Sequence, residues 1–117
     1  MPESGSLLLR IYGSSPQMRI IDYLLDFPAN DFTQKEIIEA LGMSKTTFYK
    51  YFENLIEFGM VRVNRRIANA KLYSINLKSP LVQSFKKNVD YLSERIAESS
   101  LGQISVKTKG KKRKNTV

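Results

Sequence analysis

At 117 residues, 42% of them hydrophobic, the chain has the size of one domain with a small core and carries a net charge of +8. It contains no cysteine and no histidine, which excludes disulfides, Cys/His zinc sites, cysteine nucleophiles and histidine general bases. No apolar run approaches the ~20 residues needed to span a bilayer and no signal-peptide pattern opens the chain, so a soluble cytoplasmic protein is expected.

Residues 1–13 form an N-terminal apolar arm, with Leu7, Leu8, Leu9, Ile11 and Tyr12 between Gly5 and Gly13. The run is too short for its period to separate strand from helix. Such an arm should cover core or a partner subunit, because left exposed it would promote aggregation.

Residues 14–78 carry the main signals. Ser15-Pro16 is a helix start, a hydroxyl cap followed by proline at the first helical position. Met18, Ile21, Leu24 and Leu25 mark one face to about Phe27, and Pro28 stops the helix. Thr33-Gln34-Lys35-Glu36 fits a capping box, Ile37, Ile38 and Leu41 face inward, and Gly42 ends that second helix. Ser44 caps the next, whose Phe48, Phe52, Leu55 and Ile56 give a buried stripe that Gly59 closes.

From Met60 the period changes to two. Val61 and Val63 alternate with Arg62 and Asn64, and Tyr73, Ile75 and Leu77 with Ser74 and Asn76. Residues 65–70 are expected at the hairpin tip. Leu72 breaks the alternation and leaves the register near the tip open.

Ser79-Pro80 starts a last helix, expected to end near residue 99 or 100. Val82, Phe85, Val89, Leu92 and Ile96 are spaced 3-4-3-4, the narrow seam of a helix pair. Residues 79–100 are therefore expected to dimerise, with packing against the first helix of the same chain as the alternative. Residues 101–117, KTKGKKRK included, carry six basic and no acidic residues and are expected to be a disordered basic tail.

Positive charge is concentrated where the helices and hairpin could touch a polyanion. Residues 43–78 hold seven Lys or Arg against Glu53 and Glu57, while the chain outside this segment and the tail is net acidic. If Phe48, Phe52, Leu55 and Ile56 face inward, Lys45, Thr46, Tyr49, Lys50 and Glu53 face outward. Lysines can reach guanine O6/N7 or phosphate, Thr46 and Tyr49 can hydrogen-bond and touch thymine methyl groups, and Glu53 can accept from cytosine. Ser44 and Thr47 suit helix capping or phosphate contact. Arg65 and Arg66 are candidates for the adjacent minor groove or its phosphates, with Arg62 and Lys71 beside them.

The order helix, turn, helix, basic hairpin resembles the winged-helix transcription regulators of the MarR, ArsR and PadR type. The resemblance covers roughly residues 16–77 and rests on Thr33-Gln34-Lys35-Glu36-Ile37, Leu41-Gly42-Met43-Ser44, Leu55 to Val61, and Leu72-Tyr73-Ser74-Ile75. It implies a mainly α fold with a small β-hairpin, a winged helix-turn-helix followed by a C-terminal dimerisation helix. It also implies homodimeric, sequence-specific binding of double-stranded DNA, as a repressor, in the nucleoid. No cofactor or metal is expected, since no convergent acid, base or nucleophile marks an enzyme. Two other uses fit the same elements. One is an architectural or centromere-binding partition adaptor that spreads along DNA. The other is a protein-interaction module that receives a partner through the N-terminal arm or the tail.

Overall fold

The computed structural model describes residues 6–109, with side chains over residues 6–99. Helices α1 (Leu7–Tyr12), α2 (Pro16–Asp26), α3 (Gln34–Leu41) and α4 (Lys45–Glu57) precede a hairpin of β1 (Val61–Ile67) and β2 (Ala70–Ile75). Helix α5 (Pro80–Lys109) follows. The architecture is a winged helix-turn-helix with a long C-terminal helix.

Each helix starts where its capping chemistry says it should. The hydroxyls of Ser6, Ser15, Thr33 and Ser44 accept from backbone N–H groups three residues on, and Thr33 and Glu36 form a reciprocal capping box. Two helices end alike. Gly42 (φ 62°) and Gly59 (φ 78°) adopt the left-handed conformation, and the N–H groups of Met43 and Met60 bond back to the carbonyls of Ile38 and Leu55. In both cases the next side chain, Met43 or Met60, is buried, which sets the direction in which the chain leaves the helix.

Helix α2 is the hub. Its Ile20, Ile21 and Leu24 are fully buried, and it touches α1, α3, α4 and β2. Ile20 completes this face beside the expected Met18, Ile21 and Leu24, while Leu25 lies half-buried at its edge. Arg19 donates to the Leu41 carbonyl at 2.7 Å, so α2 satisfies an orphan acceptor at the end of α3. Phe48 stacks on Phe52 with centroids 4.7 Å apart, and Phe52 meets Tyr73 of β2 edge-on at 4.9 Å.

Several expectations are corrected. Ile56 is exposed, because at about 100° per residue it stands about 70° off the Phe48–Phe52–Leu55 axis. Leu77 is exposed and Ser74 buried, since alternation ends where β2 runs into the core. Arg65 and Arg66 are not at the hairpin tip. The strands continue to Ile67 and Ala70, leaving a two-residue turn of Ala68 and Asn69. The irregularity suspected at Leu72 is a β-bulge: Val63 pairs with Tyr73 and Arg65 with Leu72, so Asn64 is the extra residue.

The α2–α3 connection contributes a further rung. Phe32 and Tyr73 exchange backbone hydrogen bonds of 2.9 and 2.7 Å, and the Phe32 ring lies against Tyr23 and Phe27.

Helix α5 departs most from expectation. It does not end near residue 99 but continues to Lys109, so residues 101–109 of the expected disordered tail are helical. No proline interrupts this stretch, and a lone Gly102 weakens a helix without ending it. Residues 110–117 lie outside the described residues. The seam also divides. Val82 is fully buried within this chain, against the expectation that it serves dimerisation, because Ser79 caps the helix hard against the core. Phe85 and Val89 pack on the same core, Phe85 also meets the exposed Tyr12 of α1 edge-on at 4.8 Å, and Asn88 donates to the Tyr12 hydroxyl. The described part of the arm, helical over Leu7–Tyr12 as α1, thus covers the root of α5. Farther along, Leu92 is half-buried and Ile96 exposed.

Phe52→Ala should destabilise the fold by about 3–5 kcal/mol in urea unfolding, since it empties the space between Phe48 and Tyr73. A loss below about 1 kcal/mol would place Phe52 outside the core.

Candidate nucleic-acid interface

Burial of Phe48, Phe52 and Leu55 turns the opposite side of α4 to solvent. On that side Lys45, Thr46, Tyr49, Lys50 and Glu53 are all exposed, Tyr49 by 41%. The first turn of α4 contains no acid, so its free N–H groups and helix dipole add to the charge of Lys45. Ser44 is committed as the cap, its Oγ accepting from the Thr47 N–H at 3.2 Å, and Thr47 is half-buried. Tyr49 is braced edge-on by Phe48, and the Lys50 ammonium lies 5.5 Å from the Tyr51 ring centre. Two cations, a hydroxyl and a phenol thus share one solvent face with a single carboxylate.

The hairpin adds a second basic surface. Arg66 and Lys71 are direct cross-strand partners, both exposed, and neither has an acidic partner among the described residues. Like charges placed opposite each other on one face repel, so the pair is most stable with an anion beside it. Arg62 is exposed near the base of the hairpin and donates to Asn64 Oδ1 at 3.3 Å.

Arg65 has a different setting. Its Nε donates to Asp31 Oδ2 at 2.7 Å and its Nη2 to Oδ1 at 3.3 Å, while Asn64 Nδ2 donates to the same Oδ2 at 2.8 Å. The hydrogen bonds from Arg65 and then Asn64 hold the Asp31 carboxyl below the ordinary aspartate range. Asp31 gives no periodic signal, standing alone between Pro28 and the Thr33 cap, and sequence reasoning passed over it. The irregular Leu72 register was the one sign that Asn64 and Arg65 were special.

Acidic side chains gather elsewhere. Asp22, Asp26 and Asp90 line an open depression between α1, α2 and α5, where burial and then Asp22 raise the Asp26 pKa. Among the described residues no cluster of acidic side chains could hold a metal ion, and no helix is long and apolar enough to cross a membrane.

No family model matches the chain, and no curated protein matches it. Solved structures do. MepR, a transcription regulator of the Staphylococcus aureus multidrug efflux pump MepA, is similar at 18% identity over 86% of this chain and 78% of its own, with a TM-score of 0.58. A MepR mutant from a multidrug-resistant S. aureus clinical isolate is similar at 18% identity, over 91% and 81% of the two chains, with a TM-score of 0.56. A candidate transcriptional regulator from Methanosarcina mazei Go1 is similar at 12% identity, over 83% and 85%, with a TM-score of 0.52. The shared property is the winged-helix fold.

The Asp31–Arg65 pair has a pH signature. Because the folded carboxyl titrates lower than the unfolded one, its stabilisation is present above the unfolded pKa and is lost as pH falls through the folded value. In carbon-detected NMR, Arg65→Ala should move the Asp31 midpoint up towards that of a free aspartate. The stability difference between this variant and the parent should fade in acid. An unmoved midpoint would show that the pair is not formed in solution.

Proposed function

We propose that this chain binds double-stranded DNA in a sequence-specific way as a homodimeric winged-helix transcriptional regulator, acting as a repressor. The observation that carries the proposal is the solvent face of α4, where Lys45, Thr46, Tyr49 and Lys50 stand clear of the protein's own chain. A helix of this width fits the major groove, and those side chains match the donors and acceptors on base edges there. Lys50 and Tyr49 read bases, Lys45 and the helix N-terminus hold phosphate, and Arg66 with Lys71 grips the flanking backbone. The structural neighbours, themselves transcription regulators, support this use of the fold.

Dimerisation is proposed through α5 together with α1. The radius of gyration, 17.4 Å, exceeds the ~13 Å of a compact chain of about 100 residues. Helix α5, ~45 Å long at 1.5 Å per residue, outruns its own subunit's core. Leu81, Tyr91 and Ile96 on it are exposed, as is Ile11 of α1. A second copy would cover this surface and set two reading heads about one helical turn, ~34–36 Å, apart on a pseudo-palindromic site.

Fragments selected from random DNA test the proposal. Lys50→Ala and Tyr49→Ala should relax base preference, whereas Arg66→Ala with Lys71→Ala should weaken all sequences alike and flatten the salt slope by about 0.9 per lost phosphate contact. Unchanged selectivity in the first two variants would remove α4 from base readout. Separately, sedimentation of the parent should give twice the chain mass, and Leu92→Glu with Ile96→Glu should halve it. A monomeric parent would refute the dimer.

A further inference from the structure

We propose that Asp31 is a positioning residue for the wing, a brace that fixes where Arg66 and Lys71 stand relative to α4, and that Arg65 serves this brace instead of binding DNA. The proposal rests on the DNA-binding reading above and assigns a specific role within it.

The geometry is a node midway along the hairpin, at the bulge. An isolated two-stranded hairpin is marginally stable in water, so its direction must be set by what holds its base. Here the α2–α3 connection grips both strands. Phe32 bonds β2 through two backbone hydrogen bonds with Tyr73, and the adjacent Asp31 bonds β1 through the side chains of Asn64 and Arg65. The bulge makes this possible: consecutive strand residues ordinarily point to opposite faces, yet the extra residue lets Asn64 and Arg65 converge on one carboxylate. The Asp31 side chain is only 8% exposed although ionised, as expected of a charge enclosed by its donors. Beyond the node, Arg66, Ile67, Ala68, Asn69, Ala70 and Lys71 are all exposed, and the two strands pair there with each other alone among the described strands.

Two accounts of Asp31 predict opposite signs. If it were merely an acid near a basic surface, removing its charge would relieve repulsion of phosphate, free Arg65, tighten DNA binding and steepen the salt dependence. If it is a brace, removing its charge loosens the wing and weakens binding, even though the protein becomes more positive.

The test measures affinity for a selected DNA fragment against salt, together with amide hydrogen exchange in the free protein. Asp31→Asn should bind roughly fivefold more weakly, the effect of a lost pair of this kind, and should exchange faster over residues 62–74 while α2 to α4 stay protected. Asn64→Ala changes no charge and should shift both readouts the same way. Tighter binding by Asp31→Asn with a steeper slope, or unchanged exchange in the wing of both variants, would overturn the proposal. Should the parent bind no selected fragment, the DNA reading fails, and exchange in the free protein still decides whether Asp31 braces the hairpin.

Discussion

Phe48, Phe52 and Leu55 leave α4 one way to lie. All three are fully buried, Phe48 stacked on Phe52 and Phe52 edge-on to Tyr73, and each is worth about 1.5–3 kcal/mol when taken out of water. Turning α4 by a single residue, about 100°, would bring these side chains towards water and carry Tyr49 and Glu53 towards the core. That cost fixes the outward set as firmly as the inward one. The face of Lys45, Thr46, Tyr49 and Lys50 is therefore a consequence of core packing, independent of whatever they touch.

The ends of α4 extend the same constraint. Gly42-Met43 before it and Gly59-Met60 after it use one device twice, a left-handed glycine followed by a buried methionine. The first sets the angle between α3 and α4, and the second aims the hairpin. Asn76 adds a clasp at the hairpin's base, donating to the Gly59 carbonyl from its side chain and to the Met60 carbonyl from its backbone, both at 2.8 Å. Helix, hairpin base and the Asp31 node are thus joined by hydrogen bonds from three sides. Cations outnumber carboxylates on α4 and the wing, whereas Asp22, Asp26 and Asp90 outnumber Lys86 in the depression between α1, α2 and α5. Segregation of this kind orients a molecule on a polyanion before any specific contact forms.

Much of this was legible in the sequence because it is written in local chemistry. Ser15-Pro16, the Thr33–Glu36 box, Ser44 and Ser79 mark helix starts through side-chain oxygens that accept orphan N–H groups, and these starts are observed. Features that depend on contacts distant in sequence were not legible. The Phe32–Tyr73 rung joins residues with no shared period, and the Asp31 brace requires a bulge whose position the broken alternation at Leu72 only hinted at. The heptad spacing from Val82 to Ile96 was real, but spacing does not say which partner fills a seam. Its first part, Val82 to Val89, meets the core of the same chain and α1. The extent of α5 was missed because a polar, lysine-rich composition reads as disorder even where no residue forbids helix.

We propose that the polar face of α4 enters the major groove. Dimethyl sulfate probing of a selected DNA fragment tests it directly, since the reagent reports guanine N7 in the major groove and adenine N3 in the minor groove from the same sample. Guanine N7 protection is expected at the centre of each half-site, lost in a Lys50→Ala, Tyr49→Ala double variant that still folds. Guanines that react as freely in the complex as in free DNA, with protection confined to adenine N3, would contradict it.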